Sequence, residues 1–352
     1  MPLIDRLLSM MPQADASDLH VVVGQPPKFR IHGEVVAIAG EEPFTERKLE
    51  HLLFEIVEEK ERKRYLENRD FDFAHEVPGL ARFRVNFFFQ RTGYGAVFRI
   101  IPEKVKTIEQ LGLPKVLIEL AALRTGLVLV TGPTGSGKST TLAAMIDYIN
   151  THDRRHIVTI EDPVEFVHKD KMCVICHREV GNHTRDFGAA LRAAIRQDAD
   201  VILVGEMRDL ETIGLALSAA STGTLVFGTL HTNNAPKTID RIIDVFPTDQ
   251  QAQIRTLLSE SLRGVVAQLL LRKKRERGRV AVNEILIGNH AVSNIIREGK
   301  IERLVDVLQS GKAEGMRLMD DELAKLAQGE LIDGTDAYMN ASDKRRFEHY
   351  LV

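Results

Sequence analysis

The chain has 352 residues, which is long for one hydrophobic core and indicates two domains. Apolar residues make up 44% and charged residues 28%, a balance typical of globular proteins. The 47 basic and 50 acidic side chains give a formal net charge of −3. This balance argues against a domain that wraps nucleic acid, because such domains usually carry a clear basic excess.

No apolar run approaches the roughly 18 residues that a membrane-spanning helix requires. Apolar runs such as those at 126–130 and 201–204 have the length of strands. The N-terminal residues include Asp5 and Asp15 and lack a long apolar core, so they are not typical of an export signal. We therefore expect a cytoplasmic protein whose contact with a membrane is peripheral only.

The first hundred residues predict a small α+β unit. Short strands bounded by turn residues are expected at 18–23, 28–31 and 35–38. A helix follows Thr45, which can cap its start, and its apolar residues recur at the helical period. Strict alternation over 82–89 and a strand at 96–101 then predict an antiparallel sheet against which this helix packs.

A linker is expected between Pro102 and Pro114, and beyond it strands and helices alternate. The predicted strands are short and almost wholly apolar, and they lie at 127–131, 156–160, 201–204 and 225–229. Strands of this kind are buried on both faces, which is typical of a parallel sheet between helices. We predict an α/β fold with an N-terminal domain at 1–103, a linker at 104–113 and a second domain at 114–352, helical from about residue 290.

Residues 132–139 match Gly-x4-Gly-Lys-Ser, the phosphate-binding P-loop, between an apolar strand and a predicted helix at 140–149. Glycines let such a loop curl until its backbone N–H groups converge on phosphate oxygens. Lys138 would then bridge the β and γ phosphates of ATP, and the Ser139 hydroxyl would ligate Mg²⁺. The predicted nucleotide-binding residues are Gly132, Pro133, Thr134, Gly135, Ser136, Gly137, Lys138, Ser139 and Thr140.

Carboxylates follow two of the predicted strands. Glu206 comes after the strand at 201–204, with Gly205 standing where many P-loop enzymes place an Asp that binds Mg²⁺. Glu161 and Asp162 end the strand at 156–160. Ligands bind at the carboxyl edge of an open α/β sheet, so one carboxylate there suits polarising a water and another suits holding Mg²⁺.

Two further groups complete a candidate ATPase site. His231 lies just beyond the strand at 225–229, where a side chain can sense the γ-phosphate, although a lone histidine is more often structural. Phosphoryl transfer also gains from a guanidinium on the developing charge, often supplied by another subunit. The candidates Arg82, Arg84, Arg91 and Arg99 lie on the first domain's final hairpin, and spacing alone leaves the choice among them open.

Two local patterns have several interpretations. Cys173 and Cys176, followed by His177, match the haem-attachment signature, a zinc site completed by His168 and His177, or a redox pair. We favour a simpler interpretation, a strand at 172–175 with its thiols packed inside. The basic run at 272–279 predicts a solvated hairpin turn, with contact to anionic lipid or an acidic partner as the alternative.

Taken together, these motifs resemble the secretion ATPase superfamily, specifically its type IV pilus retraction ATPases. The resemblance extends over nearly the whole chain. The segments that carry it are SDLH at 17–20, RFRVNFF at 82–88, VFRIIP at 97–102, the P-loop and its helix at 132–150, TIEDPVEFVH at 159–168, LVGEMRD at 203–209, GTLHTNNA at 228–235 and IIREGK at 295–300.

The resemblance implies a PAS-like N-terminal domain, a RecA-like ATPase domain and a homohexamer with ATP at its interfaces. It further implies Glu206 as the catalytic carboxylate and a water-mediated Mg²⁺ ligand, Glu161 as its support, His231 as sensor, and Arg84 and Arg99 as arginines acting in trans. Ile295, Ile296 and Arg297 become candidates for coupling to retraction. The implied partners are an inner-membrane pilus platform protein, contacted from the cytoplasmic face, and a paralogous retraction ATPase as a further candidate.

The predicted function is therefore an ATP-driven motor that retracts type IV pili, and so supports twitching motility, by turning the platform protein. Two alternatives remain. An assembly or type II secretion ATPase generally has a longer N-terminal region and a four-cysteine zinc motif, whereas this chain has two cysteines. A non-hydrolysing accessory ring subunit is disfavoured by the presence of Lys138, Ser139, Glu161 and Glu206.

Overall fold

The computed structural model describes residues 2–101 and 104–351. The chain divides into two compact units. The first contains the chain up to Lys104 together with the short segment Asp162–Val167, and the second contains Val105–Glu161 and the chain from His168 onward. Of the predicted linker, residues 102 and 103 lie outside the described residues, and 104–113 contains no helix or strand.

The first unit is a six-stranded sheet with three helices. In chain order its elements are α1 (Leu3–Met10), β1 (Ala16–Val22), β2 (Lys28–Ile31), β3 (Glu34–Ala37), α2 (Glu46–Phe54), α3 (Glu59–Asn68), β4 (Asp70–Val77), β5 (Ala81–Gln90) and β6 (Gly93–Ile101). The strand order is β3-β2-β1-β6-β5-β4, with neighbouring strands antiparallel.

Strand β5 shows why the sheet has one buried face. Phe83, Val85 and Phe87 are fully buried, while the residues between them are half-buried, as the predicted alternation requires. The predicted helix is α2, and its N-cap Thr45 accepts a hydrogen bond from the backbone N–H of Lys48 at 3.3 Å. The predicted antiparallel sheet with a helix against it is confirmed.

Helix α3 was absent from the sequence prediction, as were α1 and β4. It is almost wholly polar and buries only Tyr65, so its sequence lacks the apolar stripe from which a helix is predicted. Its signal is the capping box, in which Glu61 accepts a hydrogen bond from the backbone N–H of Glu58 at 2.9 Å. The Tyr65 hydroxyl donates to the carbonyl of Phe88 at 3.1 Å and so ties this helix to β5.

The second unit is a seven-stranded sheet between helices. In chain order its elements are α4 (Val116–Ala121), β7 (Gly126–Thr131), α5 (Lys138–His152), β8 (His156–Glu161), β9 (Val174–Glu179), α6 (Phe187–Ile195), β10 (Val201–Val204), α7 (Leu210–Ser221), β11 (Leu225–Leu230), α8 (Ala235–Asp244), α9 (Thr248–Ser261), β12 (Leu262–Arg272), β13 (Arg279–Ile287), α10 (His290–Glu298), α11 (Leu304–Ser310), α12 (Met319–Gln328) and α13 (Gly334–Asn340).

The strand order of this sheet is β13-β12-β7-β11-β10-β8-β9. Every neighbouring pair is parallel except the hairpin of β12 and β13. Strands β7, β10 and β11 are buried along their whole length, because helices cover both faces. The predicted parallel strands and the mainly helical end of the chain are confirmed, and the fold belongs to the mixed α/β class with two separate sheets.

Among the described residues, none of the helices combines the length and the apolar character that crossing a bilayer requires.

Candidate nucleotide site

The predicted P-loop connects the end of β7 to the start of α5. Gly132 must be glycine, because a Cβ there would lie 2.2 Å from the carbonyl oxygen of Gln268. Gly137 has φ of 86° and is the N-cap of α5, a conformation that favours glycine. Within the described part of the chain no side chain caps this helix start, so its first N–H groups face the loop. The loop is therefore built as an anion cradle.

Two polar side chains of the loop, those of Lys138 and Ser136, are folded back over it or buried. The Nζ of Lys138 donates to the carbonyl oxygens of Gly132 at 2.8 Å and Pro133 at 3.0 Å, which folds the ammonium back over the loop. The hydroxyl of Ser136 is buried and lacks a hydrogen-bond partner among the residues that the structure describes. Pro133, Thr134 and Gly135 are exposed, and Ser139 and Thr140 lie half-buried in the first turn of α5.

One residue of this site was not identified from the sequence. Gln268, on β12, is buried, and its Nε2 donates to the carbonyl oxygen of Ser136 at 2.6 Å. Its Oε1 accepts from the hydroxyl of Thr141 at 2.8 Å and from Nδ2 of Asn283 at 3.0 Å. The available signal was a glutamine in an otherwise apolar strand, since a buried amide needs hydrogen-bond partners.

The predicted carboxylates lie at the carboxyl ends of neighbouring parallel strands: Glu161 is the last residue of β8, and Glu206 comes shortly after β10. Gly205 brings the two strand ends together, because its N–H donates to the carbonyl oxygen of Ile160 at 2.8 Å. A Cβ at position 205 would lie 3.1 Å from that oxygen and 3.2 Å from the Cα of Glu161. An aspartate at this position would therefore crowd the strand that carries Glu161, which explains the glycine.

Glu206 also contacts the predicted His231. Its Oε1 lies 3.1 Å from Nε2 of His231, and its Oε2 accepts from Nη2 of Arg208 at 2.6 Å. Burial alone would raise the pKa of Glu206, but the hydrogen bond and charge of Arg208, together with His231, outweigh burial and lower it. Glu206 is thus an ionised carboxylate at neutral pH. Arg208 is a second member of the site that sequence reasoning did not single out.

The loop after β11 is held at both ends. Thr229 donates its hydroxyl to the carbonyl oxygen of Gly205 at 2.5 Å, which joins the strand ends that carry His231 and Glu206. Thr232 contacts the hydroxyl of Thr238 at 2.7 Å. Glu284 accepts from the backbone N–H of Ala235 at 2.8 Å, and burial raises the pKa of this carboxyl above its usual value.

The predicted arginines Arg84 and Arg99 lie in the first unit, directly opposite each other on β5 and β6. Like charges in this arrangement destabilise a sheet unless carboxylates offset them. Arg99 donates from Nε to Oδ1 of the buried Asp18 at 2.8 Å, and Nη1 of Arg84 lies 3.3 Å from Glu165. The side chain of Arg99 nevertheless remains 59% exposed. These two arginines therefore form an adjacent pair on neighbouring strands.

The cysteine prediction was correct for one thiol and wrong for the other. Cys173 is buried and its Sγ donates to the carbonyl oxygen of Asp153 at 3.1 Å, whereas Cys176 is exposed. The strand begins at Val174 rather than at 172, and β9 is the edge of the sheet, so alternate side chains face solvent. Among the described residues no group of three or more His, Cys, Asp or Glu side chains is arranged to hold a metal ion.

The basic run forms the turn between β12 and β13, as predicted. Its cations are exposed except the half-buried Lys273, and Lys274 and Arg275 form ion pairs with Glu330. In the segment IIREGK at 295–300, Ile295 and Ile296 are buried in the core of the second unit, so their side chains serve packing. Arg297 on the same helix is exposed.

Strands β7, β11, β10 and β8 are parallel neighbours, so their carboxyl ends lie side by side. At these carboxyl ends lie the P-loop, His231, Glu206 and Glu161. An anion cradle beside two carboxylates and a histidine defines a nucleotide-binding protein of the P-loop class. The chain belongs to the Type II/IV secretion system protein family, whose model matches residues 1–337.

Individual relatives agree with this assignment. The chain is 51% identical over 344 residues to the type IV pilus retractation ATPase PilT of Pseudomonas aeruginosa, covering 98% of this chain and 99% of that protein. It is 52% identical over 306 residues to a twitching motility protein of Neisseria gonorrhoeae, covering 87% and 82% of the two chains. A crystal structure of the pilus retraction motor PilT with bound ADP matches with a TM-score of 0.89 at 44% identity, covering 99% of both chains. The resemblance inferred from the motifs is confirmed.

Proposed function

We propose that this protein is an ATP-hydrolysing motor that powers retraction of type IV pili. The observation that carries the proposal is that the P-loop, Glu161, Glu206 and His231 all lie at the carboxyl ends of neighbouring parallel strands. The names of the two relatives and of the matching crystal structure support retraction as the work to which hydrolysis is coupled.

The P-loop binds ATP. Its backbone N–H groups at the start of α5 suit the β-phosphate, because an uncapped helix N-terminus attracts anions. Lys138 now donates to two carbonyl oxygens of its own loop, and phosphate oxygens would replace them as stronger, charged acceptors.

Hydrolysis falls to Glu206 with the support of Glu161. An ionised carboxylate can accept a proton from the attacking water while the water oxygen bonds to the γ-phosphorus and the bond from that phosphorus to the β-phosphate oxygen breaks, which releases ADP. Arg208 holds Glu206 in the ionised state. The Nε2 of His231 lies against the same carboxylate, so its ring can respond to a change in charge there. We assign His231 the role of sensor.

A Mg²⁺ ion would supply charge neutralisation between the β- and γ-phosphates. The oxygen donors along this sheet edge fit such a hard cation, with the Ser139 hydroxyl as direct ligand and Glu206 reaching it through water. The remaining coordination positions suit water and phosphate oxygens.

We further propose a homohexamer in which Arg84 and Arg99 of one protomer act on the ATP of its neighbour. The observation in support is the pairing of two arginines on facing strands, with Arg99 largely exposed. An arginine supplied in trans stabilises the charge that develops in phosphoryl transfer. It also makes activity depend on assembly, as a ring motor requires.

The domain division at 1–103, 104–113 and 114–352 is proposed on the same grounds, with a PAS-like first domain and a RecA-like second domain. The six-stranded antiparallel sheet and the parallel sheet between helices support these two descriptions. We propose that the ring works at the cytoplasmic face of the inner membrane on a pilus platform protein, with a paralogous retraction ATPase as a further partner.

The decisive experiment measures Mg²⁺-dependent ATP turnover by the purified protein over a concentration series, with molar mass read by light scattering. We expect turnover per protomer to rise as hexamers form. A ring that binds ATP without hydrolysing it would contradict the motor assignment and favour an accessory subunit. Turnover by monomers alone would contradict composite sites.

A further inference from the structure

We propose that Gln268 is the positioning residue of the phosphate-binding loop, and that its amide sets the direction in which the backbone N–H of Gly137 points. The inference rests on the proposed nucleotide binding at this loop. It adds a residue far away in sequence, on the strand β12.

The orientation of the Gln268 amide is determined by its partners. The carbonyl oxygen of Ser136 can only accept a hydrogen bond, so the Nε2 of Gln268 must face it, at 2.6 Å. The Oε1 then faces the Thr141 hydroxyl at 2.8 Å and Nδ2 of Asn283 at 3.0 Å, and both of these groups donate. All three hydrogen bonds are shielded from water, because Gln268, Thr141 and Asn283 are buried.

Gln268 also touches both ends of the loop. A Cβ on Gly132 would meet its carbonyl oxygen at 2.2 Å, and a Cβ on Gly137 would meet its Nε2 at 3.0 Å. The loop is therefore packed against this one residue where it leaves β7 and where it enters α5. The residues between these ends, Pro133 to Gly135, are exposed.

The mechanism follows from the planarity of the peptide bond. The carbonyl of Ser136 and the N–H of Gly137 belong to one peptide plane and point in opposite directions. Holding the carbonyl on the β12 side thus holds the N–H on the other side, toward the anion cradle. Gly137 follows this peptide with φ of 86°, and a glycine at that position makes rotation of the peptide plane easy. An external hydrogen bond is needed to select one orientation.

The test compares Gln268→Met, which keeps the length and removes the amide, with Asn150→Leu as a matched control. Asn150 is a buried amide at the far end of α5 from the loop; its Nδ2 donates to the carbonyl oxygen of Lys169 at 2.8 Å, and its Oδ1 accepts from the backbone N–H of Lys171 at 3.0 Å. Both variants lose buried hydrogen bonds, so both should lower the melting temperature without nucleotide. Only Gln268→Met should raise the Kd for ADP, by about tenfold, when the full chain is titrated by calorimetry.

Two further variants test the same positioning role if Gln268→Met does not fold. Gln268→Glu keeps the shape, and once its carboxyl is ionised it turns an acceptor oxygen toward Ser136, so at a pH high enough to ionise it ADP binding should weaken at least as much. Thr141→Val keeps the bond to Ser136 and should change the Kd by less than about threefold. Unchanged ADP affinity in Gln268→Glu, or an equal loss in Asn150→Leu, overturns the positioning role. A wild-type chain that fails to bind ADP overturns the proposed function itself.

Discussion

At the scale of single residues, the contacts of Glu206 decide how its carboxylate can act. Arg208 and His231 lie on its two oxygens, at 2.6 and 3.1 Å, and keep it ionised. A base for water activation needs that state, whereas a carboxylate serving only as a helix cap would need backbone N–H partners. Asp209, three residues on, is such a cap, accepting from the backbone N–H of Thr212 at 2.8 Å.

We therefore expect Glu206→Gln to bind ATP and assemble normally while its turnover falls by about 10²- to 10⁴-fold, since the amide cannot accept the proton. Single-turnover hydrolysis and ADP titration on the same preparation separate the two effects. Glu211→Gln is the matched control, because Glu211 is an exposed carboxylate on α7. Hydrolysis near the wild-type rate in Glu206→Gln would contradict the assignment of the base.

At the scale of elements, the segment before β9 contains a histidine whose protonation works against folding. His168 is buried, its ring stacks on that of His177, and burial together with His177 lowers its pKa to about 4. Its Nδ1 lacks a partner among the described residues. The backbone N–H of His168 donates to Nε2 of His177, whose Nδ1 contacts the hydroxyl of Thr159 on β8.

Because the folded pKa of His168 lies below that of the unfolded chain, about 6.5, the unfolded state binds more protons between these two values. The stability contributed by a neutral His168 is complete above about pH 6.5 and is lost as the pH falls toward 4. We expect this residue alone to lower the free energy of unfolding by about 2 kcal/mol between about pH 7.5 and pH 5.

Urea denaturation at the two pH values measures this change. His168→Leu should show a smaller loss on acidification than the wild type, because the leucine carries no titrating group. An equal loss in both proteins would show that other groups cause the pH dependence.

Element prediction succeeded where a pattern is carried by contiguous residues. The alternation in β5, the apolar runs of β7, β10 and β11, and the Thr45 cap all correspond to the observed elements. The polar helix α3 was missed, because its position depends on one buried tyrosine rather than on an apolar face. Cys176 was placed inside because sequence alone does not distinguish an edge strand from a central one.

At the scale of the whole molecule, the proposed ring predicts complementation between two inactive variants. Arg99→Ala should lower turnover by about 10³-fold or more, because it removes charge stabilisation from the neighbouring site. Arg91→Ala, on the exposed turn of the same hairpin, is the control and should remain active.

Mixing Arg99→Ala with Lys138→Ala protomers then distinguishes an arginine that acts on the neighbouring protomer's ATP from one that acts within its own protomer. If Arg99 acts in trans, some mixed interfaces combine an intact P-loop with an intact arginine, and turnover returns well above that of either variant. Activity that stays at the level of the separate variants, with mixed rings verified by mass spectrometry, would contradict action in trans.

The sequence by itself determined the P-loop, the class of each sheet and the membership of the family, because these are encoded in neighbouring residues and in the spacing of apolar side chains. Tertiary structure decided which distant groups meet. Gln268 reaches Ser136 across 132 positions, and Glu206 meets His231. A side chain at Gly205 would press against the backbone of the neighbouring strand at Ile160 and Glu161. Such contacts depend on strand order, and strand order follows from burying both faces of the whole sheet rather than from any local pattern.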